Sequence, residues 1–127
     1  MAAITCFEEL PVWKSARKIT QVIYRLSNQG SFSRDFGLRD QIRRASVSVM
    51  SNIAEGFESE TQALFITYLG RAKASAGEIR SQIYIAKDLE YITQDEFNQT
   101  IQMVRDCSRQ LFGYIKYLKR QPNKRRV

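Results

Sequence analysis

Apolar residues recur along this chain in alternating steps of four and three. Val12, Ala16, Ile19, Ile23 and Leu26 form the first series. Leu38, Ile42, Ala45, Val49, then Asn52 or Ile53, and Gly56 form the second. Phe65, Leu69, Ala72, Ala76, Ile79, Ile83 and Ala86 form the third. Phe97, Ile101, Val104, Ser108, Leu111, Ile115 and Leu118 form the fourth. A mean step of about 3.5 residues keeps such positions on one side of an α-helix. Held over several turns, it implies left-handed packing of nearly parallel or antiparallel helices. Short connections make successive helices antiparallel. The spacing therefore predicts an all-α fold, an antiparallel up-down-up-down four-helix bundle.

The ends of these series carry helix signals. Pro11 suits the first turn of helix 1, and Glu8 and Glu9 sit where the helix dipole favours negative charge. Asn28, Gln29 and Gly30 close it. Ser33 or Asp35 can cap helix 2, and Gly56 suits a left-handed cap at its end. Thr61 or the acids before it can open helix 3, which should end near Leu89. The run TQDE at 93–96 reads as a capping box, with Thr93 as cap and Glu96 three residues on. Residues 1–120 read as one bundle domain, and 121–127 as a basic tail expected to be disordered.

Composition supports long helices. The only prolines are Pro11 and Pro122, and the 110 residues between them have none. Proline inside a helix costs about 3 kcal/mol. No apolar run reaches the roughly 20 residues needed to span a bilayer, and nothing resembles a signal peptide. The expected location is the cytoplasm, with Cys6 and Cys107 reduced; nothing in the sequence supports a disulfide between them. The chain has no histidine. That removes Ser-His-Asp and Cys-His chemistry and imidazole metal sites. No glycine-rich phosphate loop is present. A carboxylate or lysine mechanism stays formally open, but the reading is of a non-enzyme with no catalytic residue, cofactor or metal.

Helix 3 contains GRAKASAG from Gly70 to Gly77. Gly70, Ala74 and Gly77, with Ala72 and Ala76 beside them, are small residues over two turns. Each glycine costs up to about 1 kcal/mol in an exposed helix, so close approach of another helix, in the chain or from another subunit, is the expected compensation. Large apolar residues also lie off the seams: Leu10, Trp13, Val22, Val47, Met50, Ile66, Tyr68, Tyr84, Ile85, Met103, Phe112, Tyr114 and Tyr117. Some widen the core face; the rest suggest a homo-oligomer.

Charge is uneven. Residues 1–104 hold 12 basic and 12 acidic residues, whereas 105–127 hold 8 basic residues and one acid, Asp106. The last 23 residues thus carry the whole net charge of +7. Clustered cations attract polyanions, although they also solubilise a helix C-terminus. The candidate nucleic-acid contacts are Lys14, Arg17, Lys18 and Arg25 on helix 1, and Arg105, Arg109, Lys116, Lys119 and Arg120 on helix 4. If first and last helices adjoin, the two rows form one basic surface. A membrane-surface role for LFGYIKYLKRQPNKRR is disfavoured, because the bundle needs its apolar side.

The stretch QIRRASVSVMSNIAEGF on helix 2 holds Arg43, Arg44, Asn52 and Glu55. These read as a structural polar network rather than a catalytic one. An arginine would pair with Glu55 or Glu78, and Asn52 would bond to backbone or a neighbouring helix, fixing register.

Four stretches, FEELPVWKSA, FGLRDQIRRASVSVMSNIAEGF, FITYLGRAKASAGEI and AKDLEYI, resemble the bacterial four-helix bundle proteins. That family includes proteins encoded in intervening sequences of large-subunit ribosomal RNA. It is related to the accessory variability proteins of diversity-generating retroelements. The resemblance runs to about Lys119, and GL…Q…RRA…S…NIAEG is its most specific part. Two departures are ASAGEI, where the family tends to have Gly-Ser before the Glu, and GSFSRDFGL, which lacks a common proline. The resemblance implies a homopentameric ring or barrel. It also implies RNA or DNA binding and, for retroelement members, a reverse transcriptase partner. The alternatives are an intervening-sequence protein of undefined role and a protein-interaction scaffold that binds no nucleic acid, with Trp13, Tyr114 or Tyr117 as anchors.

Overall fold

The structure is a computed structural model that describes residues 3–122. Four helices span Pro11–Ser27 (α1), Phe36–Glu58 (α2), Gln62–Asp88 (α3) and Gln94–Lys119 (α4). Each packs on its chain neighbours, and α4 closes the ring onto α1. With these short connections, the arrangement is the up-down-up-down bundle that the spacing predicts. The basic segment 123–127 lies outside the described residues.

The seam positions build the core. Ile19, Ile23, Ile42, Val49, Ile53, Leu69, Ile79, Ile83, Val104 and Leu111 are all buried. Where α2 left two choices, Ile53 takes the core and Asn52 is half-buried; on α4 the expected seam residue Ser108 is only half-buried, and its neighbour Cys107 takes the core instead. Burial pushes the Cys107 thiol up to about 11. Of the off-seam apolar residues, Leu10 is fully buried. Trp13, Val22, Met50, Ile66, Met103 and Tyr114 pack half-buried against the core. The surplus left for another subunit is therefore smaller than the sequence suggested.

The caps show how each helix begins. The Asp35 carboxylate accepts from Leu38 N at 3.1 Å, and Thr61 does the same for Leu64 N at 3.1 Å. Thr93 and Glu96 form the reciprocal capping box. Glu8 and Glu9 fall in a separate 3-10 turn, Phe7–Glu9, and Leu10 occupies the N-cap of α1. The Cys6 thiol bonds Glu9 at 3.1 Å, and that carboxylate raises its pKa.

Two connections differ from the expected loops. After Gly30, held at φ +44, residues Gly30–Arg34 wind into a 3-10 turn. This turn drops Phe32 into the core, stacked on Tyr91 at 5.4 Å. Tyr91 donates to Asp35 at 2.9 Å, a bond that raises the tyrosine pKa. Helix α3 closes with a Schellman turn: Tyr91 N bonds Ala86 O at 2.9 Å and Glu90 N bonds Lys87 O at 3.0 Å. Glu90 takes the left-handed position, at φ 58.

Gly56 corrects the expected end of helix 2. It is no left-handed cap, because α2 runs on to Glu58 and Gly56 is buried inside it. The glycine is needed for space: a Cβ there would meet the Tyr68 Cβ at 2.7 Å. Close approach of α2 and α3 occurs here, and Ala72 and Ala76 are fully buried in the core. Gly70 and Gly77 instead face open space, so no helix among the described residues compensates them.

Candidate nucleic-acid interface

All nine candidate cations are exposed. Helices α1 and α4 adjoin, joined by the Ser15 hydroxyl donating to Gln110 at 2.8 Å. On α4, Arg105, Arg109 and Lys116 lie roughly 100° or more around the axis from Gln110, so their row turns toward α3. On α1, Lys14, Lys18 and Arg25 share the outer side near Ser15, and Arg17 sits over Trp13 at 5.8 Å. The α4 residues Arg105 and Arg109 line a groove with α3, and no α1 candidate is in that lining.

The α4 row has a partner that the sequence reading missed. A groove of about 560 Å³ between α3 and α4 is lined by Lys73, Arg80, Gln102, Arg105, Ser108, Arg109 and Phe112. It brings four cations together and has no carboxylate in its lining. Lys116 flanks it, 5.2 Å from the Phe112 ring centroid. Lys119 and Arg120 lie beyond it at the α4 C-terminus, where cations complement the helix dipole. Lys73 and Arg80 are seven residues apart, an interval that puts them on one side of α3. That signal was present, but only the packing of α3 on α4 shows that this side meets Arg105 and Arg109.

Asp106 borders the groove. It accepts from Gln102 at 2.9 Å and pairs with Arg109. In water such exposed pairs contribute about 1 kcal/mol or less, so a phosphate can compete for Arg109.

The arginines of helix 2 take a different role from the expected one. The ion pairs among the described residues are Arg39–Asp40 and Arg109–Asp106. Among the described residues no arginine pairs with Glu55 or Glu78, both of which are exposed. Arg43 instead donates to the buried Ser27 hydroxyl at 2.7 Å and covers the Tyr24 ring at 4.7 Å. The Arg44 guanidinium leans on its own helix, toward Asp40 O at 3.4 Å. Asn52 donates to Ser48 O at 2.8 Å and to the Ser48 hydroxyl at 3.0 Å, which meets Ser75 of α3 at 2.9 Å. The small polar residues cross between helices, whereas the carboxylates reach water. A second inter-helix tie is Gln62, whose amide donates to Leu118 O at 2.8 Å and holds the end of α4.

The membrane-surface alternative meets a direct obstacle, because Leu111, Ile115 and Leu118 are buried in the bundle. Among the described residues no helix is long and apolar enough to cross a membrane. Of the expected aromatic anchors, Trp13 is edge-on to Phe7 at 5.3 Å and Tyr114 edge-on to Phe65 at 5.6 Å. Tyr117 stays half exposed.

The family model for 23S rRNA-intervening sequence protein matches residues 8–113. The chain belongs to this family. The fold agrees with a crystal structure from Bacteroides thetaiotaomicron, described as a protein with unknown function from the S23 ribosomal protein family. The TM-score is 0.76 at 22% identity, covering 83% of this chain and 95% of that one. No curated protein matches the chain in sequence. In this chain the block GL…Q…RRA…S…NIAEG lies on α2, whose polar residues tie helices together.

Proposed function

We propose that this intervening-sequence family member is a non-enzymatic protein that binds nucleic acid by its phosphate backbone in the α3–α4 groove. The observation that carries the reading is the lining itself: Lys73, Arg80, Arg105 and Arg109 converge with no carboxylate among them. Such contacts hold phosphates without reading sequence. Salt dependence tests it. Four phosphate contacts on a single strand give a log–log slope of about −3, a loss of roughly 50-fold from 50 to 200 mM salt. The double variant Arg105→Gln, Arg109→Gln should halve that slope, leaving a loss of roughly 7-fold. Asp106→Asn should tighten binding by freeing Arg109. Absent or salt-insensitive binding overturns the reading.

A second observation favours self-assembly. Ala63, Thr67, Gly70, Ala74, Gly77 and Ser81 step by four and three along α3, and all are exposed. The row is uncharged, and Gly70 and Gly77 have open space before them. A helix of a second copy can approach closely there, as in the ring implied by the resemblance. Sedimentation analysis should find an oligomer that Ala74→Arg dissociates; a monomeric wild type overturns this. The pentameric number and a reverse transcriptase partner follow from the resemblance. Co-purification with a neighbouring-gene polymerase separates a retroelement accessory role from the intervening-sequence role.

A further inference from the structure

We propose that the α3–α4 groove takes a single-stranded polynucleotide, with one base stacked on Phe112. This rests on the phosphate-binding reading above and adds the strandedness of the ligand and the platform that recognises it. Phe112 lies 51% exposed among cations. Lys73 Nζ is 5.8 Å and Lys116 Nζ 5.2 Å from its ring centroid, and both lysines are exposed. Two flexible lysines thus bring their ammonium groups to a ring that the fold leaves half in water. A base can take their place on the ring. The ammonium groups then exchange a weak cation–π contact for a charge-assisted bond to phosphate.

Tyr84 supplies a second platform. It is 44% exposed and edge-on to Phe97 at 5.0 Å. It follows Lys73 by eleven residues, roughly 16 Å along α3. Arg80, Arg105 and Arg109 fill the interval on the α3 and α4 walls. Aromatic faces at both ends of a cationic stretch hold bases by stacking and the backbone by charge. A duplex keeps its base faces inside the stack and cannot use either ring.

The test is fluorescence anisotropy with labelled oligouridine of about 12 nucleotides and a duplex RNA of equal length. Phe112→Ala should weaken oligouridine binding about fivefold or more, leave duplex binding unchanged, and keep the salt slope. Phe112→Leu, which keeps apolar bulk and lacks the π-face, should do the same, which guards against a folding defect. Arg105→Gln with Arg109→Gln should weaken both ligands and flatten the slope. If both Phe112 variants bind oligouridine like wild type while the arginine variant fails, stacking is overturned and the phosphate groove stands. If the arginine variant also binds like wild type, both readings fall. A wild-type preference for duplex overturns the proposal as well.

Discussion

Alanine in place of glycine inside a helix ordinarily adds up to about 1 kcal/mol of stability. At Gly56 the sign should reverse. The added Cβ would lie 2.7 Å from the Tyr68 Cβ, 2.9 Å from Phe65 Cδ1 and 3.3 Å from Phe65 O. None of these atoms is a movable side-chain tip. Tyr68 Cβ is one bond from the backbone, and the Phe65 ring is fully buried. That ring is also held edge-on by Phe57 at 5.9 Å and Tyr114 at 5.6 Å. Relief therefore requires a backbone shift that moves α2 and α3 apart at this point. Overpacking of this kind costs typically about 1–3 kcal/mol. With two contacts under 3 Å the upper part of that range applies, about 2–3 kcal/mol, and set against the helix gain Gly56→Ala should lose about 1–2 kcal/mol. For a domain of this size each kcal/mol shifts Tm by roughly 3–6 °C, so a drop of about 3–12 °C is expected. Thermal unfolding by circular dichroism measures it, with a urea series alongside. Gly113→Ala is the control, because nothing lies within 4 Å of its added Cβ, and it should raise Tm. A Gly56→Ala chain as stable as wild type would refute the close-approach argument.

Glu90→Gly should stabilise the chain by about 0.5–1 kcal/mol, read by urea midpoint, because a left-handed Cβ costs about 1–2 kcal/mol and glycine returns part of that as chain entropy. Asp35→Ala removes both the α2 cap and the Tyr91 partner and should cost about 2–3 kcal/mol, whereas Tyr91→Phe should cost about 1. Near pH 8, a thiol-exchange reagent should modify Cys6 in the folded chain and reach the buried Cys107 only on unfolding. The folded Cys107 keeps its proton to about 11, beyond an unfolded thiol. Its contribution is complete below about pH 8.5 and is lost as pH rises toward 11. The urea midpoint should fall over that window, and less so in Cys107→Ala.

Much of the fold was legible because each helix advertises its buried side alone. The four-three steps, the capping box at Thr93 and Glu96, and the cap at Asp35 are local features of single helices. Phe32 and the turn at Glu90 were not legible. The first depends on a 3-10 turn folding back onto Tyr91, and the second uses a residue with no left-handed preference. Within the groove, Arg105 and Arg109 were found from charge density, whereas Lys73 and Arg80 sat in a segment of zero net charge and drew no attention.

By itself the sequence determined the number of helices, their limits within a few residues, their core sides and the family. Periodicity belongs to one helix at a time, so it carries that information without a partner. Only the tertiary structure decided which exposed sides meet. It brought Arg105 and Arg109 of α4 together with Lys73 and Arg80 of α3. It gave Gly56 a packing role in place of a cap, and left Gly70 and Gly77 facing outward. It also tied Arg43 to Ser27 rather than to a glutamate. Each of these depends on the rotation of two helices about their own axes, which is set by how both core faces pack together.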